Sequence, residues 1–288
     1  MYDLLNLRVA LFIPLTQPRF LQKAHERGAD AIVLDLEDGV APERKAEARD
    51  QLAAAAAMLR ERGVPTLVRV NADPALIADD LRACVAAGIE TIVVPKQESA
   101  GTAEAAAALL GEAERAAGVD CTARMVMILE SPKGVIHAAA IAASSRCAGL
   151  LFGPEDYCAG LGVPSAAAAL RWPAQQVAVA ARAYGLAALG LPGSGVTLDD
   201  AEAFTSLARE ARSMGFTGSL CIHPAQVAPI RTGFLPSPEE VEQAQAVLRA
   251  AEANPGAGAY SVAGRMVDAP VVAQARRLLV AAGSIKAR

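Results

Sequence analysis

The segment from Met125 to Asp156 opens with Met125-Val126-Met127-Ile128-Leu129-Glu130-Ser131-Pro132 and closes with Ala148-Gly149-Leu150-Leu151-Phe152-Gly153-Pro154-Glu155-Asp156. Neither apolar run alternates as a half-buried strand does, so each reads as a parallel strand covered on both faces. Between them lies an Ala-rich segment of helical length that starts at a proline, which makes the whole a strand–helix–strand unit. Both runs end in carboxylates. An acid at the end of a buried strand is costly to desolvate unless it meets a partner or a ligand, and the carboxyl ends of parallel strands are where barrel enzymes assemble their sites.

Outward from this unit the same pattern fills the chain. Apolar runs rich in β-branched residues occur at 9–14, 31–37, 66–71, 91–96, 125–130, 148–153, 187–191 and 219–223. Helices are predicted at 18–28, 42–63, 74–88, 102–118, 132–144, 173–185 and 198–215, mostly with Pro near the start or Gly just past the end. Eight strands alternating with helices is the count that closes a (β/α)8 TIM barrel, an α/β fold. An open doubly wound sheet would stop at about five or six strands and begin on a Gly-rich turn, whereas the first run here leads into Pro14-Leu15-Thr16. After the eighth run, a turn-rich stretch at 232–238 precedes two further helical segments, 239–253 and 269–282. The predicted organisation is a barrel catalytic domain over 1–233 and a C-terminal helical arm over 234–288. A closed barrel has completed its core, so Val262, Met266, Val267 and Leu278 of the arm must find cover on the barrel or on a neighbouring subunit.

Composition narrows the function classes. The 288 residues are 53% hydrophobic and 20% charged with a net charge of −4, and no Lys/Arg-rich run occurs. Neither nucleic acid nor an acidic membrane surface is an evident partner, and a small-molecule substrate is the better expectation. Five cysteines, at 84, 121, 147, 158 and 221, are odd in number and lack Cys-x-x-Cys spacing. They read as small core residues in a reducing cytoplasm. The first residues carry no basic segment followed by a long apolar one, and no apolar stretch is long enough to span a bilayer, so the expected location is cytoplasmic.

If the barrel closes, one mouth collects Asp35, Glu37, Asp38, Arg69, Lys96, Glu130, Asp156 and His223. Glu130 and Asp156 end consecutive strands, and two adjacent carboxylates with open positions suit Mg²⁺, which keeps waters and substrate oxygens among its ligands. Three histidines and no cysteine cluster argue against zinc. The alternative is that each carboxylate caps a helix or pairs with Arg69 or Lys96. Lys96 could form a Schiff base, although an ion pair with Glu37 or Glu130 is the favoured reading, and His223 reads as a hydrogen-bonded strand-end residue rather than a base. Asp35, Glu37 and Asp38 either orient Arg69 or hold metal-bound waters, and the helix starting at Ser131-Pro132 aims amides at the mouth.

The chain also resembles the citrate lyase β-subunit-like (HpcH/HpaI aldolase) family of magnesium-dependent barrel lyases. The resemblance rests on the stretch from Ala29 to Pro42 containing Asp35-Leu36-Glu37-Asp38-Gly39, on Val68-Arg69-Val70-Asn71, Val94-Pro95-Lys96, Leu129-Glu130-Ser131-Pro132-Lys133-Gly134, Phe152-Gly153-Pro154-Glu155-Asp156-Tyr157 and Cys221-Ile222-His223-Pro224-Ala225-Gln226. By position it implies that Glu130 and Asp156 are the metal ligands and Arg69 a catalytic and substrate-binding arginine. Glu37, Asp38, Lys96 and Pro132 are further candidate substrate-binding positions. Gly264-Arg265-Met266-Val267-Asp268-Ala269-Pro270 is similar to a tail motif whose Asp acts in a neighbouring subunit, so Asp268 is the expected catalytic acid of a homotrimer or hexamer. Phe12-Ile13-Pro14-Leu15-Thr16, Gly190 and Ser219 depart from the family pattern and imply altered substrate handling there. The expected activity is Mg²⁺-dependent carbon–carbon cleavage, or formation, of a malyl-, citramalyl- or citryl-type thioester, with an acyl-CoA or oxo acid as small-molecule partner. An aldolase of free 2-oxo acids, a malyl-thioester hydrolase and a non-catalytic subunit of a larger complex are the alternatives.

Overall fold

The computed structural model describes residues 2–120, 123–195, 200–254, 258–262 and 264–285. Eight parallel strands form one sheet: β1 (Val9–Pro14), β2 (Ala31–Asp35), β3 (Thr66–Arg69), β4 (Thr91–Val94), β5 (Arg124–Leu129), β6 (Cys147–Phe152), β7 (Ala187–Leu189) and β8 (Ser219–Cys221). Their order is β7-β6-β5-β4-β3-β2-β1-β8, so the sheet rolls up until β7 and β8 meet. At that meeting the ladder shrinks to one bridge, Leu189 with Gly218, flanked by Gly190 N–H donating to Gly218 O at 3.0 Å and Thr217 N–H to Ala188 O at 2.7 Å. The fold is a (β/α)8 barrel with a thin seam.

Period-two alternation sorts the strand residues. Ala10, Ala31, Val33, Leu67, Val93, Val126, Ile128, Leu151, Ala187 and Leu189 fill the barrel interior, and Leu4 and Leu7 join them from the segment before β1. The alternate residues, among them Ile32, Leu34, Val68, Ile92, Met127, Leu129 and Phe152, belong to the larger core beneath the helices. Continuing the interior parity past Ala10, Val33, Leu67 and Ile128 reaches Phe12, Asp35, Arg69 and Glu130, which is why these side chains gather at the carboxyl-end mouth.

The helices of this unit are α1 (Pro18–Gln22), α2 (Lys45–Glu61), α3 (Ile77–Ala86), α4 (Ala100–Ala117), α5 (Pro132–Ile136), α6 (Ala138–Ala142), α7 (Pro154–Leu161), α8 (Ala167–Ala183), α9 (Ala201–Met214) and α10 (Val227–Phe234). Several differ from the sequence-based expectation: α1 ends at Gln22 where the expected helix runs to 28, and α5 and α6 divide the single helix expected over 132–144. Helix α8 extends six residues ahead of Pro173, which sits inside it. An internal proline costs about 3 kcal/mol, and the fully buried Leu170, Ala174, Val177, Ala178 and Ala181 offset that by tying the helix to the core. Helices α7 and α10 have no counterpart in the sequence-based expectation. The first follows β6 at once and the second completes the eighth strand–helix unit, absorbing Thr232 to Phe234, whose turn-rich composition reads as linker. The expected helix start at Leu198 lies outside the described residues.

The chain folds as two compact units, Met1–Phe234 and Leu235–Arg288. The second contains α11 (Pro238–Ala253), an antiparallel hairpin of β9 (Ala259–Val262) and β10 (Arg265–Asp268), and α12 (Ala269–Ala281). The hairpin stands where the sequence suggests only a break between helices. Ala244, Ala275 and Leu279 form the unit's small core, with Leu278 packed against it. Val267 is buried, whereas Met266 is 71% exposed. Cys84, Cys147, Cys158 and Cys221 are free and buried, and Cys121 lies outside the described residues. Among the described residues no helix is long and apolar enough to cross a membrane.

Candidate active site

Asp35 and Arg69 are register partners on β2 and β3. Arg69 Nε and Nη2 donate to Asp35 Oδ1 and Oδ2, both at 2.7 Å, a fork-to-fork pair, and Nη1 donates to Asp38 Oδ2 at 3.2 Å. The Arg69 guanidinium also lies 4.8 Å from the centroid of the Phe12 ring. Asp35 is itself held, accepting the Glu37 and Gly39 backbone N–H groups at 2.9 Å each. The planar fork of Arg69, the candidate substrate-binding arginine, is thus engaged by Asp35, as the reading of Asp35 as a group that orients Arg69 expects, and the cavity sees the remaining guanidinium charge.

Glu37 lies two residues beyond Asp35 and sits between two cations. Its Oε1 is 3.4 Å from Lys96 Nζ, and its Oε2 is 3.2 Å from Arg69 Nη1 at ion-pair distance but without a hydrogen-bond partner. Burial dominates nonetheless and pushes the Glu37 carboxyl up to about 7. Lys96 keeps its charge: partial burial works against it, but Glu37 and Asp38 raise its pKa above the ordinary value. Its ammonium is committed to Glu37, which answers the Schiff-base alternative on geometric grounds, since that chemistry needs a neutral amine.

Glu130 follows β5 and is buried. Its Oε1 accepts the Lys96 backbone N–H at 2.7 Å. Opposite, Gly153 leaves room that a Cβ would remove, because an added Cβ would stand 2.7 Å from Glu130 Cβ. Burial, then the negative charges of Asp156 and Glu37, push the Glu130 carboxyl up to about 7 despite the Lys96 amide. Asp156 occupies the first turn of α7, exposed at the mouth.

A cavity of about 340 Å³ is lined by Arg69, Asp38, Glu130 and Asp156 together with Phe12, Glu155 and an apolar wall. Glu37 and Lys96 are not among the described lining residues and act on the cavity through Arg69 and Glu130. Pro132 is not there either. It begins a five-residue helix whose Gly134 N–H is taken by Ser131 Oγ, and proline itself has no N–H to offer. The helix whose amino end does line the cavity is α7, through Pro154, Glu155 and Asp156. His223 is exposed and caps a short turn, accepting Ala225 N–H at Nδ1. Gln226, which the sequence does not single out, is buried and accepts Ile222 and His223 N–H at Oε1 while donating to Gly195 O at 2.7 Å. Phe12 and Gly153 could have been found from parity and from the Gly-Pro start of α7. Phe204 and Ile230 could not, because they reach the cavity from helices.

Asp268 belongs to the second unit, where it ends β10 and caps α12 by accepting Val271 N–H at 3.3 Å. It borders a hollow shared with Tyr260, Asn254 and Arg276.

The donor set suits a hard divalent cation. It is all oxygen, and two carboxylates leave positions for water and substrate oxygens, as such an ion requires. A cation at Glu130 and Asp156 would also offset the burial, and then the neighbouring negative charge, that raise the Glu130 carboxyl to about 7.

Comparison with known proteins agrees in fold. The profile of the family described as HpcH/HpaI aldolase/citrate lyase matches residues 8–224. A citrate lyase subunit beta-like protein of Mycobacterium tuberculosis is 36% identical over 298 residues, covering 97% of this chain and 98% of that protein. A (3S)-malyl-CoA thioesterase of Cereibacter sphaeroides is 33% identical over 291 residues, with 97% and 96% covered. A crystal structure of Mycobacterium tuberculosis CitE in complex with magnesium, acetoacetate and coenzyme A superimposes with a TM-score of 0.79 at 32% identity, covering 96% of this chain and 98% of that one.

Proposed function

Because this chain belongs to the HpcH/HpaI aldolase/citrate lyase family, we propose that it is a Mg²⁺-dependent carbon–carbon lyase acting on a malyl- or citramalyl-type 3-hydroxyacyl thioester. The observation that carries this reading is that Glu130, Asp156 and Arg69 line one cavity at the carboxyl ends of β5, β6 and β3. A magnesium-bound relative structure with acetoacetate and coenzyme A supports the choice of metal and thioester. Glu130 and Asp156 would hold Mg²⁺, which when bound supplies Lewis acidity toward the oxygens of a hydroxy or oxo acid.

The chain's own groups do the rest. Cleavage turns the substrate hydroxyl into a carbonyl and leaves an enolate on the acyl fragment, so charge develops on two oxygens. Arg69, fixed by Asp35 and kept fully charged, stabilises that charge without having to reorganise. Lys96 and Gly153 fix the Glu130 carboxylate. Asp268, contributed by the second unit of a neighbouring subunit in a homotrimer or hexamer, delivers a proton to the enolate carbon, or removes it in the condensation direction.

The thioesterase relative favours a second outcome, in which the hydroxyacyl thioester itself is hydrolysed to the hydroxy acid and free CoA. Incubation with malyl- and citramalyl-CoA, with and without Mg²⁺, tests both by measuring oxo acid and free CoA separately. Oxo acid formed only with Mg²⁺ supports the lyase. Free CoA without oxo acid identifies a hydrolase, and neither product from any of these thioesters rejects the reading.

A further inference from the structure

The connection from β4 to α4 is the short stretch Pro95-Lys96-Gln97-Glu98, fixed at both ends. The β4–β5 ladder stops just before it, and a capping box of Ser99 and Thr102 opens α4 just after it. Within it Lys96 takes φ 55°, and two successive amides then face β5. Lys96 N–H donates to Glu130 Oε1 at 2.7 Å, and Gln97 N–H donates to Ile128 O at 3.0 Å. A residue with a Cβ disfavours that angle, so contacts from outside the connection must hold it there.

Helix α5 and its flanking residues supply the hold. Ser131 Oγ donates to Glu98 Oε1 at 2.8 Å while accepting Gly134 N–H at 3.1 Å. His137 Nδ1 lies 2.8 Å from Glu98 O, and because a carbonyl can only accept, Nδ1 carries the proton. Lys133 Nζ is 3.4 Å from Glu98 Oε2, an exposed pair that adds little. Gly134 completes the fit: an added Cβ would fall on Gln97 O, so the connection is seated directly on the backbone of α5. The turn from Ser131 to His137, expected to aim amides at the mouth, grips the β4–α4 connection instead.

We propose that Glu98 is a positioning residue for the metal ligand Glu130: gripped by Ser131 and His137, it keeps Lys96 in its left-handed conformation and so keeps the Lys96 N–H on the Glu130 carboxylate. This rests on the reading of Glu130 as a Mg²⁺ ligand. Glu98 is not among the described residues lining the cavity, so its influence passes through one backbone angle. Without the Lys96 donor the Glu130 carboxylate would have to be ordered as the metal binds, at the expense of affinity.

Calorimetric Mg²⁺ affinity and deuterium exchange of the Lys96 amide in the metal-free protein test this together. Glu98→Ala should weaken Mg²⁺ binding by about tenfold, the low end of the cost of losing a group that orients a metal ligand, and the Lys96 amide should exchange correspondingly faster. Glu98→Gln still accepts from Ser131 and should match the wild type in both measurements. In the Lys96→Gly background, where φ above zero carries no penalty, Glu98→Ala should cause no further loss. Wild-type affinity and exchange in Glu98→Ala overturn the inference. So does an equal loss in Glu98→Gln, which would mean that the charge of Glu98 acts on the cation through space, and so does an equal loss with and without Lys96→Gly. If the wild type binds no Mg²⁺, the metal reading fails by itself, and the exchange rates still decide whether Glu98 holds the Lys96 amide.

Discussion

Lys96 holds Glu130 with its backbone and Glu37 with its ammonium: its N–H donates to Glu130 Oε1 at 2.7 Å and its Nζ lies 3.4 Å from Glu37 Oε1. It does both at φ 55°, the left-handed region that a side chain with a Cβ rarely occupies. A residue kept there against its own preference is held by its surroundings, and here the surroundings are two carboxylates of the mouth.

The backbone share can be separated from the ammonium share. Lys96→Gly retains the N–H and removes the strain, so Mg²⁺ affinity should stay near wild type even though the Glu37 ion pair is lost. Lys96→Val disfavours φ above zero and should weaken Mg²⁺ binding by about tenfold or more, in line with a cost of roughly 1–3 kcal/mol for such strain. Isothermal calorimetry decides, and equal affinity in the valine variant would show that the amide is dispensable.

Glu130 and Glu37 both hold protons up to about 7, above the ordinary 4.5. The folded protein therefore binds more protons than the unfolded chain between about 4.5 and 7, and the metal-free protein loses stability as pH rises through that window. Melting curves at about pH 5 and pH 7.5 should show a smaller decline in Glu130→Gln than in the wild type. Mg²⁺ competes for the same oxygens, so its binding should weaken as pH falls through about 7. A pH-independent affinity would remove Glu130 from the ligand set.

Arg69→Lys keeps a charge but cannot span both oxygens of Asp35, so kcat/KM should fall about 10²-fold. Asp35→Asn should reproduce much of that loss through a freed Arg69. Wild-type kinetics in both variants would reduce the pair to a structural brace.

Mixing inactive Asp268→Ala protein with inactive Glu130→Ala protein, under conditions of proven subunit exchange, should restore part of the activity. Some mixed interfaces then join an intact metal site to an intact acid. No recovery after exchange would return Asp268 to its structural task as the cap of α12.

The barrel was legible because its strands are continuous apolar runs and its mouth residues are charges at their ends, as with Asp35, Arg69 and Glu130. Strand ends were overrun by a residue or two, since Glu37 and Lys96 follow their ladders in loops that keep the same composition. Pairing was less legible. That Arg69 spends its fork on Asp35, and that Lys96 reaches Glu130 by an amide, depends on register and on one backbone angle, neither of which periodicity encodes. The β9–β10 hairpin is hidden in the sequence because two four-residue strands closed by a turn look like a helix interruption.

The seam between β7 and β8 makes the barrel a rolled ribbon with a lap joint rather than a hoop. Breathing should begin there, with the Gly190 and Thr217 amides exchanging with deuterium ahead of those in the continuous ladders. A circular permutant whose new ends fall between β7 and β8 would cut the ring at its weakest joint and leave every ladder of the sheet whole.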